Sequence, residues 1–190
     1  MRHSSVAEFV EISSKRFRKL ISEEEIMDRV RALGEQIVHD YSGKQPIFLI
    51  VLNGAFIFGA DLVRSIPLVC ETVFIRLSSY IDTASKGWVK TLIGLSEDIS
   101  GRDIVVVEDI IDSGRTIQFL KEELSKKKVA SVSTVCLLLK PECLEFPLEN
   151  TYVGFEIPNA FVVGYGLDLN GLGRNLPGIY QLVESGDDDM

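Results

Sequence analysis

Glu108, Asp109 and Asp112, followed at once by Ser113-Gly114-Arg115-Thr116, form the densest group of chemistry-bearing side chains in the sequence. Its second half suits a phosphate, because it offers free backbone N–H groups, two hydroxyls and a glycine that permits close approach. Three carboxylates beside a phosphate would repel it. They make sense when the phosphate belongs to a sugar whose hydroxyls need acceptors, with a divalent cation close by. A phosphorylated ribose meets both conditions; a bare anion meets one.

The elements that position this stretch can be read around it. Ile104-Val105-Val106-Val107 is a run of β-branched residues, as in a strand buried on both faces of a parallel sheet. After the turn, Ile117, Leu120 and Leu124 share one face of a helix. The acids and the Ser-Gly-Arg-Thr turn thus lie between a strand's carboxyl end and a helix N-terminus, the edge where open α/β sheets bind ligands. Ile47 to Leu52, the turn Asn53-Gly54-Ala55 and a helix from Phe56 to Arg64 repeat that geometry and predict a second phosphate site.

Around these two units the chain reads as follows. Residues 5–20 mix apolar and basic side chains and fit either an edge strand or an arm over the site. Ser22 and Glu25 have capping-box spacing, and Ile26, Val30, Leu33 and Ile37 continue as a helix that Gly43 closes. Val73, Ile75 and Leu77 alternate as a strand. Ser78 to Gly87 is polar and poor in core formers, a lid or an ordinary loop by residue type. Trp88 to Leu95 returns as a strand, and Val129 to Leu139 is another, ending at Lys140 and Pro141. Tyr152 to Pro158, Ala160 to Asp168 and Ile179 to Val183 complete the pattern, with Asp168 ending its strand among glycines. The expected fold is α/β: an open, mainly parallel twisted sheet flanked by helices.

At 190 residues one domain is expected. We divide it into a core over about 22–168, a hood over about 1–20 and 169–185, and a frayed acidic tail over 186–190. The net charge of −8 argues against nucleic acid as the main partner. No apolar run is long enough for a membrane span, and Met1 to Arg18 lacks the apolar core of a secretory leader. Cys70, Cys136 and Cys143 are odd in number, have no metal-ligand spacing and lie in or beside apolar runs, which suits buried thiols in a reducing cytoplasm. His39 reads as a surface residue near a helix end, and Lys126 to Lys128 as a solvated run at another.

Glu108-Asp109-Ile110-Ile111-Asp112-Ser113-Gly114-Arg115-Thr116 resembles the phosphoribosyl-pyrophosphate (PRPP) motif of the type I phosphoribosyltransferases, most closely that of the hypoxanthine-guanine enzymes of purine salvage. With three further motifs in the expected order, the resemblance covers about residues 47–180. It implies Mg²⁺-dependent transfer of a 5-phosphoribosyl group from PRPP to N9 of a 6-oxopurine, with release of pyrophosphate. Asp112 is then the base at N7, and Glu108 and Asp109 hold the ribose hydroxyls directly or through the metal. Ile111, Ser113, Gly114, Arg115 and Thr116 form the ribose-phosphate cradle. Asn53, Gly54 and Arg174 bind pyrophosphate, although Asn53 stands where the family often has lysine. A cis peptide between Leu52 and Asn53 is implied as well.

Lys140 alone reads as a solvent-exposed strand end, and Phe161 alone as a core aromatic. The resemblance makes Lys140 the donor to the purine 6-oxo group, Phe161 the stacking ring and Val162 a backbone contact at the purine edge. Asp168 is implied at the purine and, with Glu108 and Asp109, at the metal. Ser79 and Tyr80 match a catalytic loop that closes over the reacting centre and makes a mobile lid of the polar stretch. Asp112 and Lys140 together favour a 6-oxopurine over adenine or orotate, with hypoxanthine first. A homodimer or homotetramer is implied too. Two rivals remain: a PRPP- or nucleotide-sensing regulator on the same fold, and a phosphorelay receiver, which leaves the Ser-Gly-Arg-Thr turn unexplained.

Overall fold

The structure is a computed structural model and describes residues 7–79, 88–91 and 98–183. Ten strands and three helices are described: β1 (Phe9–Ile12), β2 (Lys15–Ile21), α1 (Glu23–Asp40), β3 (Ile47–Leu52), α2 (Phe56–Ser65), β4 (Glu71–Ser79), β5 (Trp88–Thr91), β6 (Asp103–Ile111), α3 (Arg115–Ser125), β7 (Ser131–Leu139), β8 (Thr151–Glu156), β9 (Val162–Val163) and β10 (Ile179–Leu182). The larger sheet has the order β5-β4-β3-β6-β7-β8. Its last five strands are parallel, and β5 joins the edge antiparallel to β4. This is the open, mainly parallel α/β sheet expected from sequence.

Strand β6 lies in the middle because both of its faces are apolar. Val105 and Val107 pack on the side of α1 and α2, while Ile104 and Val106 pack on the side of α3. All four are fully buried. Burying a valine or isoleucine contributes about 1.5–3 kcal/mol, so this strand alone anchors both layers. Helix α1 starts at the capping box: Glu25 N–H donates to Ser22 Oγ at 3.2 Å, and Ser22 N–H donates to Glu25 Oε2 at 2.8 Å. It ends at Asp40, before Gly43, because Tyr41 N–H closes on the Ile37 carbonyl and Gly43 serves the following turn at φ +75°.

The smaller sheet has the order β1-β2-β10-β9 and is antiparallel throughout. Residues 9–21 are therefore a hairpin, and β10, from the other end of the chain, supplies the partner strand. Phe17, Val163 and Tyr180 form its own small core. One expectation needs correcting: Asp168 does not end a strand. Strand β9 stops at Val163, because Gly164 and Gly166 take φ +102° and +105° and Gly164 N–H closes back on the Leu167 carbonyl. Of the cysteines, only Cys136 is buried; Cys70 and Cys143 are partly exposed.

Candidate active site

Alternation along β6 sends its two terminal acids to opposite faces of the sheet. Glu108 sits beside Cys136, its partner on β7, on the α3 side. Asp109 lies on the α2 side against Gly54, so close that a Cβ on Gly54 would stand 1.5 Å from Asp109 Oδ2. Two clefts result. One, of about 160 Å³, is lined by Glu108, Ile110, Ile111, Asp112, Ser113, Gly114, Arg115, Thr116 and Ile117. The other, of about 270 Å³, is lined by Gly54, Asp109, Ile110, Asp112, Lys140, Phe161, Val162, Leu167, Asp168 and Arg174. Ile110 and Asp112 line both, so the clefts adjoin across the end of the central strand.

The first cleft is the amide-and-hydroxyl cradle. Gly114 takes φ +80° immediately before α3, which turns the chain so that α3 begins over the cleft. The side chain of Ile111 is buried, so only its main chain is available here; its carbonyl accepts from Lys140 N–H at 3.0 Å. Arg115 does not reach in as a free cation. Its Nε and Nη2 bind Glu145 Oε2 at 2.9 and 2.5 Å, and Glu145 N–H donates to the Ser113 carbonyl at 3.0 Å. Glu145 thus buttresses the cradle from outside, a role without any local sequence signal.

Two ion pairs line the second cleft. Lys140 Nζ is 2.8 Å from Asp112 Oδ1, and Arg174 Nη2 is 2.6 Å from Asp168 Oδ1. Gly171 N–H donates to the other Asp168 oxygen, and Arg174 Nη1 donates to the Gly166 carbonyl. Phe161 leaves 46% of its surface exposed at the mouth, its ring centre 6.4 Å from that of Phe17, and Val162 is buried behind it. Phe161 is therefore no core residue. The peptide between Leu52 and Asn53 is cis. Gly54 lines the cleft, whereas Asn53 is exposed and is not among its lining residues. Ser79 ends β4, and Tyr80 with the rest of the polar stretch lies outside the described residues. Ile110 and Leu167 are lining residues that motif reading missed; Ile110 was in plain view, between two acids.

The electrostatics follow from burial. Desolvation, then the charge of Asp109, raises the Glu108 pKa well above the ordinary carboxylate value, and its Oε2 is buried with no hydrogen-bond partner. Desolvation also raises Asp109 to about 6, against backbone hydrogen bonding and the Arg174 charge, which lower it. An unpartnered buried oxygen on Glu108 and a desolvated Asp109 beside it point to a ligand rich in hydroxyls or carrying a cation. Among the described residues no three metal-ligating side chains converge. Hard carboxylate oxygens on separate segments still fit Mg²⁺, which is commonly held by one or two carboxylates together with substrate phosphates.

A parallel sheet with a polar cradle and an acid-lined cleft at the end of its central strand defines an α/β protein built to hold a phosphorylated sugar. The chain belongs to the phosphoribosyl transferase domain family, whose model matches residues 19–170. It is similar to the hypoxanthine-guanine phosphoribosyltransferase of Lactococcus lactis, 46% identical over 159 residues that make up 83% of this chain and 86% of the relative. It is also similar to a crystal structure of a hypoxanthine-guanine phosphoribosyltransferase from Bacillus anthracis, with a TM-score of 0.80, 40% identity and coverage of 87% and 98% of the two chains. A bifunctional TilS/HprT protein of Listeria monocytogenes is 44% identical over 159 residues, and there the match spans only 24% of the relative's length.

Proposed function

We propose that the protein transfers a 5-phosphoribosyl group from PRPP to N9 of a 6-oxopurine, hypoxanthine first and guanine next, giving the nucleotide and pyrophosphate in purine salvage. The observation that carries this reading is the Lys140–Asp112 pair at 2.8 Å on the wall of the second cleft. N7–H and O6 are neighbours on one edge of a 6-oxopurine. A carboxylate acceptor beside an ammonium donor complements that edge, whereas the 6-amino group of adenine would meet a donor.

The steps assign work to named residues. Phe161 stacks on the base, Val162 meets its edge through the main chain, and Lys140 donates to O6. Asp112 takes the N7 proton while N9 forms its bond to C1′ and the C1′–oxygen bond breaks. Glu108 and Asp109 accept the ribose hydroxyls. Ser113, Gly114 and Thr116, with the main chain of Ile111 and Arg115, hold the 5′-phosphate at the start of α3. Arg174, the Gly54 amide and the exposed Asn53 hold the departing pyrophosphate. Asp168, Glu108 and Asp109 are the residues that would hold Mg²⁺, which would supply neutralisation of charge on the leaving group. Ser79 and Tyr80 belong to the loop that excludes water.

Assembly as a homodimer or homotetramer and a cytoplasmic site of action complete the reading, with one domain comprising core and hood. Among the described residues no helix is long and apolar enough to cross a membrane. The test is incubation with PRPP, Mg²⁺ and each of hypoxanthine, guanine, xanthine and adenine, following nucleotide and pyrophosphate. Nucleotide from hypoxanthine and none from adenine is expected. Tight PRPP binding with no product from any base would replace the transferase by a PRPP sensor.

A further inference from the structure

Tyr165 takes no part in the chemistry above, yet it sits where the segments of the second cleft meet. It is 4% exposed and takes φ +47°, a left-handed conformation that non-glycine residues rarely adopt. Its hydroxyl donates to Asp61 Oδ2 at 2.7 Å, joining positions 104 residues apart. Burial, and then that hydrogen bond, push the phenol's pKa up, so it stays a donor. Asp61 stands on α2, the helix that follows Gly54.

The next residue makes the second half of the junction. A Cβ on Gly166 would stand 2.0 Å from the Gly54 carbonyl oxygen, so the two backbones are in direct contact. Gly166 N–H donates to the Arg174 carbonyl at 3.0 Å, and the Gly166 carbonyl accepts from Arg174 Nη1. Tyr165 N–H donates to the Leu176 carbonyl at 2.8 Å. Residues 165 and 166 therefore splice together α2, the Gly54 loop and the arginine of the cleft, and Asp168 follows two residues later.

We propose that Tyr165, tethered to Asp61, is a positioning residue for the pyrophosphate half of the site, holding Gly54 and Arg174 in register with each other. The inference rests on the transferase reading for its substrate. It separates the two halves of the cleft: Asp112 follows β6, Lys140 follows β7 and Phe161 leads into β9, and the hydrogen bonds described for Tyr165 and Asp61 run to other residues.

Tyr165→Phe removes the hydroxyl alone, and Asp61 keeps Arg64 as a charged neighbour at 3.8 Å with 22% of its side chain exposed, so no charge is stranded in the interior. The expected result is a rise of about tenfold in KM for PRPP, and for pyrophosphate in the reverse reaction, with KM for hypoxanthine held within about twofold. Asp61→Ala should reproduce this, Asp61→Asn should stay near wild type because it keeps an acceptor, and the double variant should be no worse than either single one. Unchanged constants for PRPP and pyrophosphate, or equal losses for PRPP and hypoxanthine, overturn the proposal. If Tyr165→Phe does not fold, Asp61→Ala decides. A wild-type protein that forms no nucleotide sinks the transferase reading instead; the tether is then read from pyrophosphate affinity by calorimetry, where equal values for wild type and variants overturn it.

Discussion

Lys140 Nζ and Asp112 Oδ1 lie 2.8 Å apart, and the lysine is far more buried than the acid: 11% of its side chain is exposed against 54%. The pair ties the end of β7 to the end of β6, so under the proposed function the cation that reads the base would also orient the group that receives its proton. Asp112→Asn keeps the shape and an acceptor but loses the basicity. Nucleotide formation should fall by about 10²–10⁴ in kcat, with PRPP affinity within a few-fold. Unchanged turnover would remove Asp112 from the role of base.

Lys140→Met should raise KM for hypoxanthine about tenfold or more, since a donor to a buried carbonyl is lost, and should leave KM for PRPP nearly unchanged. Because the two side chains touch, losses in the double variant with Asp112→Asn should add to less than the sum of the singles. Full additivity in steady-state kinetics would mean that the contact has no bearing on catalysis.

The course of the chain around these residues was legible wherever the signal was local. The β-branched run before Glu108, the glycine turns after β3 and β6 and the Ser22–Glu25 box all formed as their chemistry dictates. Residues 5–20 fitted either a strand or an arm in sequence, because β2 is flanked by β1 on one side and, on the other, by β10 from the far end of the chain, as in the pairing of Leu182 with Phe17. Asp168 was misplaced on a strand because Ala160 to Leu167 reads as one apolar run, while positive φ at Gly164 and Gly166 ends the strand at Val163. Glu145, Leu167 and the Asp61–Tyr165 tether depend wholly on tertiary contact and left no pattern to read.

The Arg115 guanidinium is paired with Glu145, which under the proposed function leaves the 5′-phosphate to main-chain amides and hydroxyls. Arg115→Ala should therefore change KM for PRPP by no more than about threefold, the scale of a solvent-screened cation. Thr116→Val, which removes a hydroxyl from the cradle, should cost about tenfold. A larger loss for Arg115→Ala than for Thr116→Val in the same assay would put the guanidinium on the phosphate.

Buried acids make folding depend on pH in a definite direction. Asp109 holds its proton up to about pH 6 in the folded protein and only to about 3.8 when unfolded. Between those values the folded chain carries more protons, so stability falls as pH rises through that window and stays lower above it. Glu108, raised by burial in the same direction, adds to the fall. Asp109→Asn should stabilise the metal-free protein by about 3 kcal/mol at pH 7, and the gain should shrink towards pH 4. Parallel melting curves for variant and wild type over that range, recorded with a chelator present, would contradict the burial argument.

Gly54 shows no positive φ, so an alanine there is forbidden by its neighbour and not by its own backbone. The added Cβ would stand 1.5 Å from Asp109 Oδ2 and 2.4 Å from its Cγ. Something must move, and the short Asp109 side chain at the end of a packed strand can only turn away from the cleft or push the loop outward. Either movement separates Asp109 from Gly54, the proposed ribose and pyrophosphate contacts, so Gly54→Ala should lose at least about 10²-fold in kcat/KM for PRPP. The clash also predicts its own relief. In an Asp109→Ala background the offending atoms are gone, and Gly54→Ala should then cost almost nothing further in thermal stability. If Gly54→Ala destabilises equally in both backgrounds, the glycine serves the turn itself, and the contact between Gly54 and Asp109 is incidental.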